Sequence, residues 1–540
     1  MKTLQKIGLF LFVLGLTQFT ALTLMGEFEP KPIHFEQLSE QHRIRSSVFV
    51  QKAAEVFYRN RYLTVSDLTE GLENLVQLSN DTHRAAARKP GITKEAKRAA
   101  YQNIIYTNPK DLALDLAKLS SVGLVKSNPH VFWWLSFGLG ILGALLFILP
   151  QALLNGAAAE KNNGIYLQSA TGRGWVAWLV FAYLVGFYLL LYFAPQYSHN
   201  WTLILDPISE FLNGGPASRW FVYGFMYCVV MLVMALRMYI KYRHNKYQLL
   251  RTSSVLFFQI VFAFLIPEVM TRLQLPATDF KNAFPLDYDF FFSWNLKNLI
   301  NSGGLGLFIL VWGIVLTGVM VPVMVYFFGK RWYCSWVCGC GGLAETLGDP
   351  YRQHSSKSLF SWKVERWLVH GVLLFALVMT AATLYSFFTG ASSLWGIKTQ
   401  SIQNSYSFLI GAVFAGVIGT GFYPIFGNRV WCRFGCPLAA YLGFVQRFKS
   451  RFRITTNGGQ CISCGNCSTY CEMGIDVRAY AQKGENIVRS SCVGCGICAD
   501  VCPRGVLKLE QGPEKGRINP TEILLGNDVS LIDLLNQKDK

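Results

Sequence analysis

The sequence predicts an all-α polytopic membrane protein, with about eight transmembrane helices, that ends in a small α+β domain. Apolar residues form 52% of the 540 residues and charged residues only 15%, whereas soluble proteins carry about 25% charged residues. Apolar runs long enough to cross a bilayer recur along the chain. Thirteen of the 14 cysteines lie in tight groups between Cys334 and Cys502, a distribution typical of metal sites in a reducing compartment.

The apolar runs are predicted to be membrane-spanning helices. An α-helix rises about 1.5 Å per residue, so roughly 20 apolar residues cross the bilayer core. Backbone groups in lipid must be satisfied within the segment, which requires helices there. The runs lie near residues 7–25, 131–153, 174–194, 220–240, 254–272, 305–328, 368–388 and 407–426. Residues 1–25 are predicted to be an uncleaved anchor; a cleaved signal peptide is the alternative.

The distribution of basic residues predicts the orientation of these helices. The segments that follow the fourth, sixth and eighth runs hold sixteen Lys and Arg residues, and the alternate loops 195–219, 273–304 and 389–406 hold four. Basic loops remain in the cytoplasm. Both termini, including a tail at 511–540, are therefore predicted to be cytoplasmic, and every cysteine group lies on that side. The protein is predicted to reside in a bacterial cytoplasmic (inner) membrane.

Residues 26–129 are predicted to form a small helical extracytoplasmic domain, ahead of a polytopic membrane domain at 130–454. Helical spacing is visible around Glu36–Tyr62, and a capping pattern at residues 66–70 predicts the start of another helix. The segment contains no CxxCH haem-attachment motif and no GxGxxG. We expect it to dock a partner or to stabilise the protein.

The strongest chemical signal is a pair of cysteine runs at residues 455–510. Each run has the spacing CxxCxxCxxxC, in which three thiolates bind one cubane and the fourth reaches the other cluster. The predicted ligand sets of two [4Fe–4S] clusters are Cys461, Cys464, Cys467 and Cys502 for one, and Cys492, Cys495, Cys498 and Cys471 for the other. Gly465, Gly494 and Gly496 allow the backbone to bend around sulfur. The alternative is structural zinc, which does not explain two such runs.

A second constellation follows the sixth and eighth apolar runs. The sequence from Phe328 to Cys338 recurs about a hundred residues later, from Phe426 to Pro437, which indicates an internal repeat. We call the cysteines of the two copies, with their CxxxC spacing, the twin cysteines: Cys334, Cys338, Cys432 and Cys436. They are expected to converge at the cytoplasmic surface, with Cys340 as a spare. Three roles remain open, a metal ion, a further cluster or a redox disulfide, as does no role at all.

Together, the twin cysteines and the two cluster motifs resemble the membrane polyferredoxins of the NapH and NosR type, over roughly residues 220–510. The resemblance implies a bacterial-ferredoxin-like fold for the C-terminal domain. It also implies quinol-linked electron transfer in the bacterial cytoplasmic membrane, in the service of a respiratory or maturation pathway. Three departures are visible: the first copy lacks the proline of CxxxCP, Glu472 stands where a proline is usual, and no FMN-attachment sequence occurs in 26–129.

Other cofactors and partners find little support in the sequence. The string Ser169-Ala170-Thr171 resembles a flavin attachment site but falls in a predicted cytoplasmic loop, so covalent FMN is not expected. His130 and His370 begin helices on opposite sides and cannot bind one haem. The formal net charge is +18, but the basic residues flank apolar runs and form no stripe with stacking aromatics. Nucleic acid is therefore not an expected partner.

The predicted function is electron transfer between the quinone pool, two cytoplasmic clusters and a partner redox enzyme, and a quinol dehydrogenase subunit is one form that this function takes. A redox sensor or an assembly and maturation factor for a respiratory metalloenzyme is the alternative from another class. A transporter is disfavoured, because Glu268 is the main carboxylate within the predicted spans and one acid defines no ion path.

Overall fold

The computed structural model of the chain describes residues 2–57, 61–154, 172–394, 396–457 and 460–511. Across these residues, eight helices are long and apolar enough to cross a membrane, which confirms the predicted number. Their bounds are Thr3–Ala21, Pro129–Pro150, Trp175–Phe193, Arg219–Lys241, Lys246–Arg272, Gly303–Phe328, Leu359–Thr389 and Thr399–Gly421. The flavin-like string 169–171 and the predicted tail from residue 512 onward lie outside the described residues.

The chain divides into two compact units, and the predicted domain boundaries stay a prediction. One unit comprises residues 1–154 and 187–227, and the other comprises 155–186 and 228–540. The helices of 26–129 belong to the first unit together with apolar helices, and charged side chains join them to the segment that follows residue 193. Lys118 is buried, lies 3.0 Å from the carboxylate of Asp206 and donates to the carbonyl of Ala217.

The first unit contains mostly short helices outside its apolar ones. Their bounds are Pro32–Gln41, Ser47–Val56, Val65–Ala87, Lys94–Gln102, Pro109–Ser120, Leu124–Ser127 and His199–Asn213. The helical spacing predicted over Glu36–Tyr62 is thus divided between two helices. The predicted next helix exists, but its N-cap is Thr64, whose hydroxyl accepts from the backbone N–H of Asp67, two residues before the predicted capping pattern begins.

Glycines allow the first two apolar helices to approach closely. A Cβ atom on Gly143 would lie 2.3 Å from the backbone nitrogen of Phe12, and one on Gly8 would lie 2.7 Å from that of Phe147. Small residues at helix contacts let backbones pack directly, which is the usual basis of helix association in lipid.

The second unit contains the cysteine groups. Between or after its apolar helices lie the shorter helices Ser293–Asn301, Arg331–Cys334, Gly339–Thr346, Asp349–His354, Tyr423–Phe426, Trp431–Gly435 and Pro437–Lys449, and the two-residue strands Ser393–Leu394 and Ile397–Lys398. The C-terminal domain has the short helices Asn466–Thr469, Val477–Lys483 and Ile497–Asp500. Its strands Phe452–Thr456 and Leu507–Gln511 pair antiparallel, with Ile454 opposite Leu509. This is the predicted small α+β domain.

One apolar core joins the C-terminal domain to the membrane helices of the second unit. Phe452, Ile454 and Val493 from the domain belong to the same buried cluster as Cys334 and Cys432 from the repeated motif. The cysteine-bearing domain is therefore packed onto the helix bundle, and this places its loops beside the twin cysteines.

Candidate functional site

The eight cysteines of the C-terminal domain surround two pockets. We call them the outer and the inner pocket, and each has about 360 Å³ of empty space. The outer pocket is lined by Cys461, Cys464, Cys467 and Cys502. The inner pocket is lined by Cys471, Cys492, Cys495 and Cys498. Each pocket takes three cysteines from one run and one from the other, which is the grouping that the spacing predicts.

Left-handed backbone conformations shape both cysteine loops. Gly465 and Gly496 follow the second cysteine of each run with φ of +81° and +77°, and each precedes a short helix that carries the third cysteine. The residues before the second cysteine, Ser463 and Gly494, have φ of +57° and +63°. Such φ values favour glycine, and the bend turns successive cysteines toward one centre.

The two pockets differ in their surroundings. Cys464 of the outer pocket is exposed to solvent. The inner pocket is held by the start of the helix Lys246–Arg272: Gln248 and Arg251 both donate to the carbonyl of Cys495, at 2.8 and 2.7 Å. Tyr247 donates to the carbonyl of Gly494. The inner pocket therefore faces the membrane helices of this unit and the outer pocket is closer to solvent.

The structure brings all four twin cysteines to one further pocket, which we call the twin pocket. Its empty space is about 240 Å³. Cysteines from both copies of the repeat line it: Cys334, Cys338, Cys340, Cys432 and Cys436. Cys340, which the sequence suggested was a spare, lies with the others. The four twin cysteines are buried.

Equivalent glycines turn the chain into this pocket in both copies. Gly329 and Gly427 end their helical segments with φ of +68° and +95°. A Cβ atom there would lie 2.6 Å from the ring of Phe452 or 2.4 Å from the hydroxyl oxygen of Ser355. After the first turn the chain folds back along the bundle, where the carbonyl of Val337 accepts from the side chain of Gln259.

The twin pocket lies beside one of the long apolar helices of this unit. Gln259 lies midway along Lys246–Arg272, so the pocket is beside the middle of that helix and not at its end. From the other direction, the loop between that helix and the next reaches the same pocket. Leu286 lines it, and Ala283 donates its N–H to the hydroxyl of Tyr333 at 3.4 Å. The structure thus brings the twin cysteines together, as expected, and their position at the cytoplasmic surface stays a prediction.

The thiols of the twin pocket differ in acidity. A hydrogen bond from Cys340 and the backbone N–H groups of residues 340 and 341 lower the pKa of Cys338 to about 6, against the opposing effect of burial. Burial raises the pKa of Cys334 and Cys436. Of these three thiols, Cys338 is the one whose surroundings favour the thiolate, the form that binds metals.

A network of buried charges links the twin pocket to the inner pocket. Its centre is Arg429, whose Nη2 lies 2.5 Å from Glu345 and 3.0 Å from Glu472, and whose Nη1 lies 3.8 Å from Cys432 Sγ. Glu472 lines the inner pocket. The remaining members, connected through Asp349, Arg352 and these carboxylates, are Arg237, Lys241 and Arg251.

Glu472 is the functional residue that sequence reasoning undervalued. It appeared there only as a departure from the usual proline, yet it is fully buried and pairs with Arg352 at 2.9 Å as well as with Arg429. Burial disfavours its charge, but the two guanidinium groups prevail and lower the pKa of Glu472 to about 2. A charged residue at the proline position, in a chain with repeated Arg after its membrane helices, was the available signal.

None of the 14 cysteines, all of which are described, forms a disulfide. No group of three or more His, Cys, Asp or Glu side chains in the described part of the chain is arranged to hold a single metal ion. The structure therefore lends no support to the predicted alternatives of a redox disulfide or a single metal ion at the twin cysteines.

Family comparisons match the cysteine-bearing segments. A family described as "4Fe-4S dicluster domain" matches residues 460–507, which contain the outer and inner pockets. A family described as "4Fe-4S binding domain" matches twice, over residues 311–363 and 408–455, one copy of the repeat in each. The resemblance to membrane polyferredoxins is confirmed. These matches support iron–sulfur clusters as the cofactors of the chain.

Curated relatives point the same way over part of their length. The chain is 28% identical to the "Putative electron transport protein YccM" of Escherichia coli over 27% of this chain and 43% of the relative. It is 25% identical to the "Regulatory protein NosR" of Stutzerimonas stutzeri over 29% and 22%. It is 28% identical to the "Methylamine utilization ferredoxin-type protein MauN" of Paracoccus denitrificans over 32% and 60%. The matches thus span less than two thirds of these relatives. No solved structure is significantly similar to the chain.

Proposed function

We propose that the chain is a membrane-bound iron–sulfur electron-transfer protein that links the quinone pool to a partner redox protein. The observation that carries this proposal is the arrangement of the two cysteine pockets in the C-terminal domain. One is packed against the helix bundle through Gln248 and Arg251, and the other contains an exposed cysteine. Electrons delivered at the membrane side would reach the inner pocket first and leave from the outer pocket.

The ligand sets are those that share a pocket. The donor set fits the [4Fe–4S] group: four cysteines converge on each pocket, and residues with left-handed φ bend the loops that carry them. A bound [4Fe–4S] cluster accepts and releases one electron at a time. The chain fixes the two sets in one small domain, buries the inner set and leaves the outer one near solvent, so that a soluble partner can approach it.

The membrane arrangement is part of the proposal. Both termini would face the cytoplasm of a bacterial cell, with the eight helices in the inner membrane and the helices of 26–129 on the opposite side. The support is the excess of Lys and Arg in one set of connecting segments. Residues 26–129, with a hydrophobic core of their own, would then be available to dock an extracytoplasmic partner.

A regulatory role is the second candidate. It is favoured by one comparison, with a protein whose name is "Regulatory protein NosR". A sensor needs clusters that respond to the redox state but need not oxidise quinol repeatedly. Turnover therefore separates the two functions.

The test uses the anaerobically purified full-length protein in liposomes, with a reduced short-chain quinol and a soluble one-electron acceptor. We expect quinol to reduce the clusters, seen as bleaching of their visible absorbance, and acceptor to be turned over. Cys495→Ser, in the inner pocket, should block electron delivery to the outer set. Cys464→Ser, in the outer pocket, should leave the inner set reducible but stop turnover. Failure of quinol to reduce clusters that dithionite does reduce would refute the quinone link.

Iron content tests the cofactors themselves. The C-terminal domain should hold about eight irons, as two four-iron cubanes, and each of the two serine variants should lose one EPR signal of the reduced protein. Stoichiometric zinc in place of iron would contradict the proposal.

A further inference from the structure

The outer pocket opens to solvent between residues of both cysteine runs. Cys464 is exposed, and Ile462, two residues before it, has 54% of its surface exposed. From the second run, the two residues that follow Cys502 are exposed as well. We call the exposed residues that line this pocket the outer rim: Ile462, Ser463, Cys464, Arg478, Pro503 and Arg504.

The outer rim carries positive charge that the fold leaves uncompensated. Arg478 and Arg504 are its charged side chains, and no described carboxylate lines the outer pocket. Neither guanidinium group forms an ion pair with a carboxylate of the described residues, although both are free to reach solvent. The surrounding surface has the same sign, since the exposed charged residues of 460–511 are Arg478, Lys483, Arg504, Lys508 and Glu485.

A short helix places one of these arginines beside the cysteine loop. In the helix Val477–Lys483, the side chain of Gln482 contacts the hydroxyl of Ser463. One turn earlier on the same helix lies Arg478, and a Cβ atom on Gly465 would lie 4.0 Å from its Nη1. The guanidinium therefore lies next to the loop that carries the exposed Cys464.

The strand Leu507–Gln511 separates the outer rim from the end of an apolar helix. At one end of the strand, Gln511 donates to the carbonyl of Phe327, which is the last residue but one of Gly303–Phe328, at 3.0 Å. At the other end, Leu507 lines the outer pocket. Four steps along a strand cover about 13 Å. A soluble protein is therefore a better candidate occupant of the rim than a lipid surface.

The composition of the outer rim suits a transient protein interface. Protein interfaces combine an apolar centre with a polar rim and are enriched in Arg, and complementary charges steer the two partners together. Ile462 and Pro503 supply exposed apolar surface on the same pocket as Cys464. With Arg478 and Arg504 as the charged groups, the complementary surface is an acidic one.

We propose that the outer rim is the docking surface for a small acidic protein with a one-electron redox centre, attracted and oriented by Arg478 and Arg504. The proposal rests on the proposed function, because it needs a cluster in the outer pocket, but it does not need the quinone link. One electron passes from the outer set to the centre of the partner, so that the former is oxidised and the latter is reduced. No covalent bond forms or breaks.

The experiment uses the anaerobically purified full-length protein in nanodiscs of neutral phosphatidylcholine, reduced with dithionite and freed of excess reductant. Stopped-flow mixing with oxidised cytochrome b5, a small acidic haem protein, gives a second-order rate constant for electron transfer. We expect this constant to fall at least about tenfold between about 10 mM and about 1 M salt, because the screening length shrinks from about 30 Å to about 3 Å. Cytochrome c, a basic haem protein, should show the opposite dependence.

Charge reversal at the rim separates docking from a change in reduction potential. At low salt, Arg478→Glu and Arg504→Glu should each slow transfer to cytochrome b5 about fivefold and accelerate transfer to cytochrome c. An altered potential would instead change both rates in the same direction. The matched control is Lys363→Glu, which makes the same change in charge at an exposed residue that does not line the pocket. It should change either rate less than about twofold.

Iron content and EPR signals equal to those of the wild type show that each variant retains its clusters. Equal rates for Arg478→Glu, Arg504→Glu and Lys363→Glu, or rates to both acceptors that change in the same direction, would overturn the docking surface. An effect that appears only in nanodiscs of anionic phosphatidylglycerol would overturn it as well and assign the rim to lipid headgroups. If the reduced wild type passes electrons to neither acceptor, the proposed function itself fails.

Discussion

Glu472 offers the sharpest test of how the C-terminal domain is held to the helix bundle. Its carboxylate is fully buried, lies 2.9 Å from Arg352 and 3.0 Å from Arg429, and accepts from Asn428. We consider Glu472→Gln, which preserves the shape of the side chain and one hydrogen-bond acceptor but removes the charge. Two guanidinium groups then lose the carboxylate that they share.

The expected magnitude follows from this geometry. At an effective dielectric constant of about 20, unit charges at about 4 Å attract by about 4 kcal/mol, and part of that attraction is offset by the cost of desolvation. Removing one partner of a buried pair therefore costs about 3–5 kcal/mol. Before the change, the eight network residues hold five cations and three carboxylates. After it, the cationic excess rises by one.

The assay is the rate at which the purified protein loses its cluster absorbance on heating in detergent. We expect Glu472→Gln to lose it at least tenfold faster than the wild type. The matched control is Glu485→Gln, an exposed carboxylate of the same domain, which should behave as the wild type. A double variant, Glu472→Gln with Arg352→Gln, should be less impaired than the sum of the two single effects, because each single change leaves an unpaired charge.

The reasoning would be refuted by either of two results. If Glu472→Gln is no less stable than Glu485→Gln, the buried pairs do not hold the domain. If the effects of Glu472→Gln and Arg352→Gln add without coupling, the two side chains do not act as a pair.

Three further predictions concern topology, pH and helix packing. A reporter fused after Lys540 should be cytoplasmic. One inserted at Gly91, an unhindered loop position with φ of +83°, should be extracytoplasmic. The reverse result would contradict the topology predicted from the distribution of Lys and Arg. Burial lowers the pKa of His199 to about 4, so the folded state keeps it neutral. Stability should fall by about 2 kcal/mol between pH 7 and pH 5, as the unfolded chain takes up the proton, and a melting curve of His199→Gln with an unchanged pH dependence would contradict this. Gly143→Val, which places a Cβ atom 2.3 Å from a backbone nitrogen, should lower the free energy of unfolding by about 1–3 kcal/mol. Gly140→Ala, at a position with open space around it, is the control in the same thermal melts. Equal melting temperatures for the two variants would exclude the close contact.

The sequence determined the membrane character and the grouping of the C-terminal cysteines. Lipid forces apolar runs of sufficient length into helices, so eight such helices followed from composition alone. The CxxCxxCxxxC spacing is local: three cysteines within seven residues can reach one centre whatever the rest of the fold does. The bends at Gly465 and Gly496, whose φ angles are positive, could be predicted from the sequence for the same reason.

Only the tertiary structure decided where the repeated motif lies and what surrounds it. Cys334 and Cys432 are separated by almost a hundred residues, and they share a pocket only in the folded chain, where Gly329 and Gly427 end the preceding helical segments with left-handed φ. Likewise, Glu472 looks like an ordinary charged residue in the sequence. Its role depends on burial and on partners distant in the chain, Arg352 and Arg429, and these arise from long-range packing that no local spacing encodes.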